Sequence, residues 1–379
     1  MFLISMVQIR PEVESFAKIK VIGIGGSGGN AISRMIACKI HGVDFVAINT
    51  DAQDLHHVKA PEKVHIGKNL TKGLGAGMNP EIGRQAAEEN RDEIHQVVKG
   101  ADMVFVTCGM GGGTGTGAAP IIAEAAKDSG ALTVAVVTKP FTFEGVQRAR
   151  VAEEGLNQLK DKVDTLITIP NDRLLSVIDR KTSLLNAFSM VDDVLRQAVQ
   201  GISDLVITPG IVNVDFADVK AIMQDAGSAL MGIGKATGEE RAIEAAKLAV
   251  NSPLLEISID GAKGVLFNVS GGSDLTMAEI NEAAKIITES IDPEAKVIFG
   301  AVIDDKLKKG EIKVTVIATG FDEGFLKKSE TRIQDISPIS SSQIKEKNIR
   351  KPIIKSVAAS IKEPEDEWDI PAFIRRKMK

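Results

Sequence analysis

The sequence predicts an α/β protein built on a doubly wound, mostly parallel β-sheet, with a long central helix and a second, smaller α+β domain. Three observations favour this fold class. Short β-branched segments alternate with helical patterns over residues 18–183, an apolar helical pattern fills 184–205, and a second set of strand and helix patterns occupies 206–320. Alternating strands and helices are typical of a parallel sheet that is covered by helices on both faces.

Five segments of the first region are predicted to be buried strands, because each is short and rich in β-branched residues. Helical patterns separate them, including residues 79–98 and 118–128. The second of these has Pro120 at an early helical position and Gly130 just past its end. Ligands of such sheets bind at the carboxyl ends of the strands. In chain order the predicted strands read IKVIGIG, DFVAINTD, DMVFVTCG, LTVAVVTKP and DTLITIP.

Residues 184–205 are predicted to form one buried central helix. Apolar residues recur at spacings of three and four from Leu184 to Leu205, and Leu185, Val194 and Val199 widen the apolar surface beyond one stripe. A helix that is apolar over most of its circumference is buried. At 1.5 Å per residue it would be about 33 Å long, which is enough to cross a domain.

The two ends of the chain carry weaker patterns. Residues 1–17 form an N-terminal extension, and the apolar periodicity stops after residue 320. The segment 321–363 is rich in Ser, Lys and Glu, which predicts a flexible, disordered linker. Residues 364–379 place a short apolar group between acidic and basic flanks. This composition suits a peptide that folds on a partner, although an ordinary charged terminus is the alternative.

Composition excludes several classes of function. The net charge of −5 provides no attraction to nucleic acid or to an anionic membrane. Two cysteines, Cys38 and Cys108, cannot build a disulfide framework and fit a reducing compartment. No apolar run reaches the roughly 18 residues of a membrane span, and the start of the chain lacks the features of a signal peptide. We therefore expect a cytoplasmic protein that neither binds nucleic acid nor inserts into a membrane.

Two glycine-rich segments follow predicted strands. GIGGSGGN (23–30) follows the first strand and is predicted to open a helix near Asn30, and six of the nine residues 109–117 are glycine in CGMGGGTGTGAAP. Free amides and the helix dipole at a helix N-terminus favour phosphates. For the first segment alone, tight packing turns or a dinucleotide site are alternatives.

Taken together, the two glycine-rich segments restrict the kind of ligand site that the sequence predicts. A dinucleotide-binding sheet needs only one such segment, and a P-loop needs a lysine that neither segment contains. The pair therefore predicts a phosphate chain that is held mainly by backbone amides, with help from the hydroxyls of Thr114 and Thr116.

GGGTGTG is similar to the signature of the tubulin/FtsZ superfamily, and other segments narrow the resemblance to the FtsZ family of bacterial cell-division GTPases. The resemblance covers about residues 18–320 and returns near the C-terminal end. It implies that 18–183 is a GTP-binding domain and that 364–379 is a partner-binding peptide. The other segments that carry it, in the family's order, are AINTDAQ, TKGLGAGMNP, GADMVF, TVAVVTKPF, IPNDRLL, AVQGISDL and NVDFADV.

The resemblance also assigns nucleotide-binding roles to individual residues. A carboxylate and a guanidinium suit the ribose and phosphate roles implied for Glu144 and Arg148, although a solvated i,i+4 salt bridge would explain the same pair. Asp193 favours GTP over ATP, because a carboxylate can accept from guanine N1–H and N2–H₂ together. The implied ligands are Gly26, Ser27, Gly28, Gly29 and Asn30 for the α- and β-phosphates, Gly113, Thr114 and Gly115 for the β- and γ-phosphates, Glu144 and Arg148, and Asn171 and Asp193 for the base.

Two residues depart from the family's pattern. Ser27 stands where many members have glycine, and it can be accommodated if its φ is negative. Asp192 stands where Asn is common, directly before Asp193, and two adjacent carboxylates are expected to raise the pKa of one of them.

Asp215 and Asp218, with Asn213, are the candidate catalytic residues. The two Asp residues lie three apart at a predicted helix start and so share a face; helix N-capping is the alternative. They follow the far end of the central helix, so we expect them on the opposite face from the base. They could then serve the nucleotide of the next subunit in a head-to-tail filament, which is also what the resemblance implies. No protein metal site is predicted, since Mg²⁺ would be held mainly by phosphates and water.

The resemblance thus implies a self-assembling GTPase of the midcell division ring, with a C-terminal peptide that docks onto membrane-anchoring division proteins. Two alternatives stay open. One is an NAD(P)-dependent oxidoreductase that uses the first glycine segment, although the chain has no Tyr and its five His residues all precede the second domain. The other is a tubulin-like scaffold that polymerises without hydrolysis.

Overall fold

The computed structural model describes residues 17–175, 182–208, 212, 214–252, 255, 258–304 and 307–321. Apart from residues 17 and 321, the predicted N-terminal extension, linker and C-terminal peptide lie outside these ranges, as does Asn213.

The described strands form one ten-stranded sheet in the order β3-β2-β1-β4-β5-β6-β7-β10-β8-β9. Neighbouring strands are parallel except where β10 pairs with β7 and with β8. The mostly parallel sheet is therefore confirmed. The strands are β1 Ile19–Ile24, β2 Val43–Asn49, β3 Glu62–His65, β4 Met103–Gly109, β5 Leu132–Lys139, β6 Thr165–Pro170, β7 Gly227–Thr237, β8 Gly264–Gly271, β9 Lys296–Ile303 and β10 Glu311–Thr319.

Helices connect most of the parallel strands, and a short 3-10 turn, Thr142–Glu144, follows β5. Of the helices in the described ranges, none is long and apolar enough to cross a membrane. They are α1 Gly25–Ala37, α2 Ala52–His57, α3 Lys68–Thr71, α4 Pro80–Glu89, α5 Arg91–Val98, α6 Thr114–Asp128, α7 Val146–Lys160, α8 Asn171–Leu175, α9 Leu184–Ile207, α10 Phe216–Met223, α11 Arg241–Val250 and α12 Met277–Thr288.

Both faces of the parallel part of the sheet are buried, because alternate residues of each strand enter different hydrophobic clusters. In β1, Ile19 and Val21 belong to the cluster that includes α1 and α9. Ile22 and Ile24 belong to the cluster that includes α4 to α7. This two-sided burial explains why the strands read as continuous apolar runs and confirms the doubly wound arrangement.

The central helix α9 runs from the carboxyl edge of the parallel sheet to its amino edge. Near its start, the ring of Phe188 lies 5.6 Å from that of Phe141, which follows the carboxyl end of β5. At its end, Ile207 packs on Gly42, just before β2, so closely that a Cβ on this glycine would lie 2.5 Å from Ile207 Cγ2. The chain therefore leaves α9 on the side of the sheet opposite to the glycine-rich segments.

The structure corrects three helix boundaries. α1 begins at Gly25 rather than near Asn30, and α6 begins at Thr114 rather than at residue 118, which places Pro120 inside the helix. The single helix predicted over 79–98 is two helices, because Asn90 has φ −109° and ψ 24° and ends α4. The Asn90 side chain accepts a hydrogen bond from the Gly67 amide instead.

Strand β7 was absent from the sequence-based prediction. Its glycines weaken the strand pattern, but two of them serve helix packing. A Cβ on Gly232 would lie 1.9 Å from the carbonyl oxygen of Ala249, and one on Gly234 would lie 1.9 Å from that of Ala245, both on α11. The strand links the two predicted regions, since its first residues pair with β6 and the rest with β10.

Candidate nucleotide site

A cleft of about 470 Å³ opens at the carboxyl ends of β1, β2 and β4. Both glycine-rich segments contribute to its lining, as predicted for ligands of parallel sheets. The lining comprises residues 24–27, Asn49, Asp51, Asp54, residues 74–78, Gly109, residues 112–115 and Arg148.

Two helices begin at this cleft. Neither α1 nor α6 has a side-chain cap or an acidic residue in its first turn. The first amides of such helices have no intrahelical partner, and the helix dipole adds positive potential there. The two starts lie close together, since a Cβ on Gly25, which has φ +69°, would be 3.2 Å from the Gly115 amide nitrogen. The cleft is thus suited to a polyanion such as a phosphate chain.

The glycines of the first segment divide between the cleft and helix packing. Gly26 and Ser27 line the cleft, whereas Gly28 and Gly29 are buried and do not. A Cβ on Gly28 would lie 2.6 Å from the Thr107 carbonyl oxygen, and one on Gly29 would lie 2.7 Å from Val58 Cγ2. These two glycines therefore allow α1 to approach its neighbours. Asn30 is exposed one turn further along α1, outside the lining.

The second segment contributes Gly113, Thr114 and Gly115 to the cleft. The Thr114 hydroxyl is 2.6 Å from that of Thr50, and either oxygen could donate. Thr116 is buried outside the lining, where its hydroxyl accepts from the Gly111 amide at 2.9 Å. Its hydroxyl therefore stabilises the turn, and the help that we predicted from Thr116 is indirect.

Glu144 and Arg148 form the i,i+4 pair that the salt-bridge alternative describes, with Arg148 Nη1 3.0 Å from Glu144 Oε2. Of the two residues, Arg148 belongs to the cleft lining and Glu144 does not. The buried Nε of Arg148 has no hydrogen-bond partner in the described structure. The other Glu144 oxygen, Oε1, accepts from the Phe141 amide at 2.8 Å, which fixes the turn after β5.

The two predicted base-contacting residues lie outside the cleft lining. Asn171 begins α8 at the carboxyl end of β6, and its Oδ1 is buried with no partner in the described structure. The Asp193 carboxylate accepts from Arg196 Nε at 2.8 Å and from Gln197 Nε2 at 2.7 Å. Burial raises the pKa of Asp193, but the hydrogen bonds from Arg196 and Gln197 outweigh it and hold this pKa below its usual value.

Asp192 has its pKa raised to about 6, because it is largely buried, and Arg34 offsets only part of that effect. We expected a raised pKa in this pair, but the physical cause is burial rather than the adjacent Asp193. The departure at Ser27 is accommodated as we expected, since Ser27 lies within α1 and its φ is not positive.

Replacing Asp192 by Asn should stabilise the protein at neutral pH. The unfolded state ionises near pH 3.8 and the folded state near 6, so wild-type stability falls as the pH rises between these values and stays lower above them. The Asp192→Asn variant has no carboxylate to ionise at this position. Its free energy of unfolding should therefore exceed that of wild type by about 2 kcal/mol at pH 7 and be almost equal to it below pH 4. Urea unfolding of both proteins between pH 4 and 8 measures the difference. A stability gain that is the same at every pH would contradict the burial of an ionised carboxylate.

Asp215 and Asp218 lie away from the cleft lining, after the far end of α9. Asp215 caps α10, with its carboxylate 2.7 Å from the Asp218 amide nitrogen, and both side chains are exposed. The N-capping alternative is therefore realised for Asp215, which leaves its second oxygen and the Asp218 carboxylate facing solvent.

The comparisons with known proteins agree with this geometry. Residues 18–179 match the Tubulin/FtsZ family, GTPase domain, and residues 227–322 match the FtsZ family, C-terminal domain. An FtsZ dimer structure from M. jannaschii is 50% identical, with a TM-score of 0.78 over 81% of this chain and 89% of its own. The chain belongs to the FtsZ family. It is a GTPase.

Two further structures place this FtsZ-family chain among its relatives. A mutant FtsZ from M. jannaschii is also 50% identical, with a TM-score of 0.78 over 81% of this chain and 92% of its own. CetZ2 from Haloferax volcanii, described as a GTPγS-bound protofilament, is 22% identical, with a TM-score of 0.70 over 85% of this chain and 100% of its own. The CetZ2 match shows a shared fold.

Several residues of this FtsZ-type cleft escaped the sequence analysis. Asp51 and Asp54 line it from the segment after β2, and burial followed by the charge of Asp51 raises the pKa of Asp54. Residues 74–78 line it from the loop before α4. The segments AINTDAQ and TKGLGAGMNP carried the family resemblance and contain Asp51 and residues 74–78, so the resemblance was the available signal for these residues, whereas Asp54 directly follows the first segment.

Phe188 was also missed. It is 40% exposed on the first turns of α9, beside Phe141 and within one turn of Asp192. Such a large exposed aromatic ring near the predicted base site is suited to stacking on a nucleobase. Within the described ranges, no group of three or more His, Cys, Asp or Glu side chains is placed to hold a metal ion.

Proposed function

We propose that this GTPase assembles head to tail and hydrolyses GTP at the contact between subunits. One observation carries the proposal. The cleft lies at the carboxyl edge of the parallel sheet, while α9 crosses to the amino edge before the chain reaches Asp215 and Asp218. The carboxylates of one molecule can therefore meet the phosphates of another when unlike faces pack together, and such contacts repeat into open filaments.

The rim of the cleft supports a protein contact there. Leu74 is 84% exposed and Met78 54% exposed in the loop before α4, and Phe143 and Val146 are 63% and 86% exposed near Arg148. Large apolar residues that are exposed together are typical of interaction surfaces. The related structures are described as an FtsZ dimer and a CetZ2 protofilament, which is consistent with assembly of this chain.

In this proposal the amides at the starts of α1 and α6 bind the phosphates, with Gly26, Ser27, Gly113, Thr114 and Gly115 at the cleft. Gly28, Gly29 and Asn30 support the first of these turns from further along α1. The amides stabilise the charge that develops on the γ-phosphate. Asp215 and Asp218 of the next subunit, with Asn213, orient the attacking water, which is the remaining requirement of phosphoryl transfer to water.

The remaining residues bind the nucleoside part and the metal ion. Arg148 Nε and Asn171 Oδ1 have no hydrogen-bond partner among the described residues. The guanidinium nitrogen can donate to a phosphate, and the amide oxygen can accept from the base or from a sugar hydroxyl. Glu144 would accept from the ribose. Mg²⁺ would neutralise charge on the phosphates and take its ligands mainly from them and from water, and the Asp51 carboxylate at the cleft is chemically suited to its water shell.

We further propose that the filaments form the midcell division ring in the cytoplasm, with the peptide 364–379 as the site for membrane-anchoring partners. This part rests on the family resemblance and on the composition of residues outside the described ranges. A single experiment tests the core of the proposal: binding of GTP, ATP and NAD is compared while light scattering is recorded in the same tube. GTP-selective binding with GTP-dependent scattering supports it. Preferential binding of NAD would favour an oxidoreductase, and assembly without phosphate release would favour a scaffold.

Asp193→Ala should lower the affinity for GTP and remove discrimination between GTP and ITP, which lacks the 2-amino group of guanine. Loss of a hydrogen bond to this carboxylate should cost on the order of 1.5–3 kcal/mol. Equilibrium binding of GTP, ITP and ATP to both proteins measures the effect, and ATP serves as the control that should bind weakly throughout. If the variant binds GTP as wild type does, Asp193 does not contact the base.

Removal of residues 367–379 should leave GTP turnover and light scattering unchanged and abolish recruitment to vesicles that carry a membrane-anchoring partner. We expect this because the proposal assigns the peptide to partner binding, and the described residues that line the cleft all lie between residues 24 and 148. Filaments that fail to assemble without these residues would assign the peptide a structural role.

A further inference from the structure

The turn after β5, residues 140–145, carries a group that the proposed nucleoside site uses. Its own hydrogen bonds fix its shape: Glu144 Oε1 accepts from the Phe141 amide at 2.8 Å, and the Glu144 amide donates to the Phe141 carbonyl oxygen at 2.9 Å. Gly145 follows with φ 100°, a backbone conformation that favours glycine. These bonds set the position of the Glu144 carboxylate within the turn, but not the position of the turn relative to the other elements of the site.

Asp172 ties this turn to the next strand of the sheet. β5 and β6 are parallel neighbours, and their register ends with Lys139 opposite Pro170. Just beyond Pro170, Asp172 Oδ1 accepts from the Thr142 amide at 2.9 Å, and Asp172 Oδ2 accepts from the Thr142 hydroxyl. The carboxylate thus continues the link between the two chain segments beyond the point at which backbone pairing stops.

An acidic residue in the first turn of a helix has a simpler explanation, because it interacts favourably with the helix dipole. Asp172 does lie in the first turn of α8, but that helix has only five residues. Both carboxylate oxygens bind Thr142, which is 30 residues away in the chain. Hydrogen bonds to an ionised group are short and strong, so two of them to one residue fix the turn in distance and in orientation.

Asp172 does not itself face the nucleotide cleft. It is exposed and lies outside the cleft lining. Its chain neighbour Asn171 has a buried Oδ1 without a partner in the described structure, and this oxygen is the proposed acceptor from the base or the sugar. The Asp172 carboxylate therefore connects the segment that carries Asn171 to the turn that carries Glu144.

We propose that Asp172 is a positioning residue, which holds Glu144 at the distance from Asn171 that a bound ribose requires. The proposal rests on the nucleotide-binding function proposed above and specifies how its ribose contact is built. A displacement of about 1 Å is enough to spoil a preorganised contact, and Glu144 depends on the turn for its place. The preference for ribose hydroxyls therefore depends on Asp172, although Asp172 does not contact the nucleotide.

The experiment is equilibrium binding of GDP, which is not hydrolysed, and of 2′,3′-dideoxy-GDP, which lacks both ribose hydroxyls. Wild type should bind GDP more tightly than the dideoxy analogue. Asp172→Ala should bind GDP about tenfold more weakly than wild type and the analogue almost normally, so the preference for ribose hydroxyls is lost. Thr142→Val, which removes the hydroxyl donor, should lose part of the preference. Thr142→Ser, which keeps the donor, should behave as wild type does.

Asp102→Ala is a matched control. The exposed Asp102 carboxylate also accepts from a backbone amide of a distant segment, that of Lys18 at 2.8 Å, but Asp102 precedes β4 and so lies at the edge of the sheet opposite to the cleft. This variant should keep the wild-type preference. In a Glu144→Ala background, where the ribose contact is already absent, Asp172→Ala should change the preference no further.

A wild-type preference for ribose hydroxyls in Asp172→Ala overturns the proposal. An equal loss of affinity for GDP and for the analogue also overturns it, since that result indicates a general change of the site. The same holds for a wild-type protein that binds the two nucleotides equally, because no ribose contact then exists to be positioned. A wild-type protein that binds neither nucleotide would instead refute the proposed function.

Discussion

GTP turnover by Asp215→Ala should fall by about 100-fold or more, while the variant binds GTP with wild-type affinity. The reason is that Asp215 lies after the far end of α9, away from the phosphate cleft of its own subunit. In the proposed mechanism its carboxylate acts on the nucleotide of a neighbour, so the substitution leaves the GTP-binding cleft of its own subunit unchanged. Phosphate release at several protein concentrations, with GTP binding measured separately, gives both quantities.

Asp215 also caps α10 through the Asp218 amide, so capping has to be separated from catalysis. Asn caps helices as well as Asp does, whereas Ala costs about 1 kcal/mol at this position. Asp215→Asn should therefore keep the stability of wild type and still lose turnover. Thr276→Ala, which removes the cap of α12, should lose stability and keep turnover.

Dilution and mixing test where the catalytic groups come from. If the proposed site is completed by the neighbouring subunit, wild-type turnover per molecule should be close to zero in dilute solution and rise above a threshold concentration. When Asp215→Ala is mixed with wild type, total turnover should fall by more than the fraction of mutant in the mixture. In the proposed mechanism each mutant subunit leaves the intact GTP-binding cleft of its neighbour without a catalytic carboxylate. A rate per molecule that is constant on dilution, with mixtures that average, would locate the catalyst within one subunit.

Sequence patterns predicted the nucleotide half of the fold because its signals are local. β1, β4 and β5 are continuous β-branched runs, and burial on both faces of a parallel sheet requires that composition. β7 gave no such signal, because Gly232 and Gly234 provide space for α11 rather than side chains for the sheet. The packing of a helix against a strand is a long-range contact, and the local sequence pattern of the strand does not indicate which helix will approach it.

The candidate site was partly predictable for the same reason. The glycine-rich segments and their position after strands were visible in the sequence, but the division of labour among the glycines was not. Gly26 faces the cleft and Gly28 faces the Thr107 carbonyl. Both are glycines of the same segment, and the sequence alone does not distinguish their roles. Their roles depend on where α1 starts and on its rotation against β4, which are set by tertiary packing.

The acidic residues show most clearly which features of the site cannot be predicted from the sequence. Asp51 reaches the cleft because β2 lies beside β1 in the sheet, a neighbour relation that requires the strand order. Asp193 was singled out from the family's pattern as a base contact, and the pattern did not indicate that Arg196 and Gln197 would bind its carboxylate. A base that contacts Asp193 as proposed would have to compete with or share these hydrogen bonds, and the side-chain conformation that decides this cannot be read from residue type.

Gly117→Ala should destabilise the protein by about 3 kcal/mol or more, at the upper end of overpacking effects. Gly117 ends the signature GGGTGTG, yet it lies outside the cleft lining. A Cβ there would be 1.9 Å from the Pro80 carbonyl oxygen and 2.6 Å from the Arg84 amide nitrogen. Both are backbone atoms of α4, so no side chain can move aside and α4 and α6 have to separate.

The separation should also weaken GTP binding, because α4 supports the second glycine-rich segment. A Cβ on Gly83 of α4 would lie 2.3 Å from the Gly113 carbonyl oxygen, so a displaced α4 removes the surface on which Gly113 rests. Urea unfolding and GTP binding of the same preparation measure the two effects.

Gly112→Ala is the matched control for stability. Gly112 belongs to the same segment, has no positive φ, and has no atom within 4 Å of an added Cβ. Its replacement should change the free energy of unfolding by less than about 0.5 kcal/mol. If Gly117→Ala unfolds at the same urea concentration as Gly112→Ala, the contact between α4 and α6 is looser than the structure indicates. A large difference between them establishes that the last glycine of the signature is required for packing of α6 against α4.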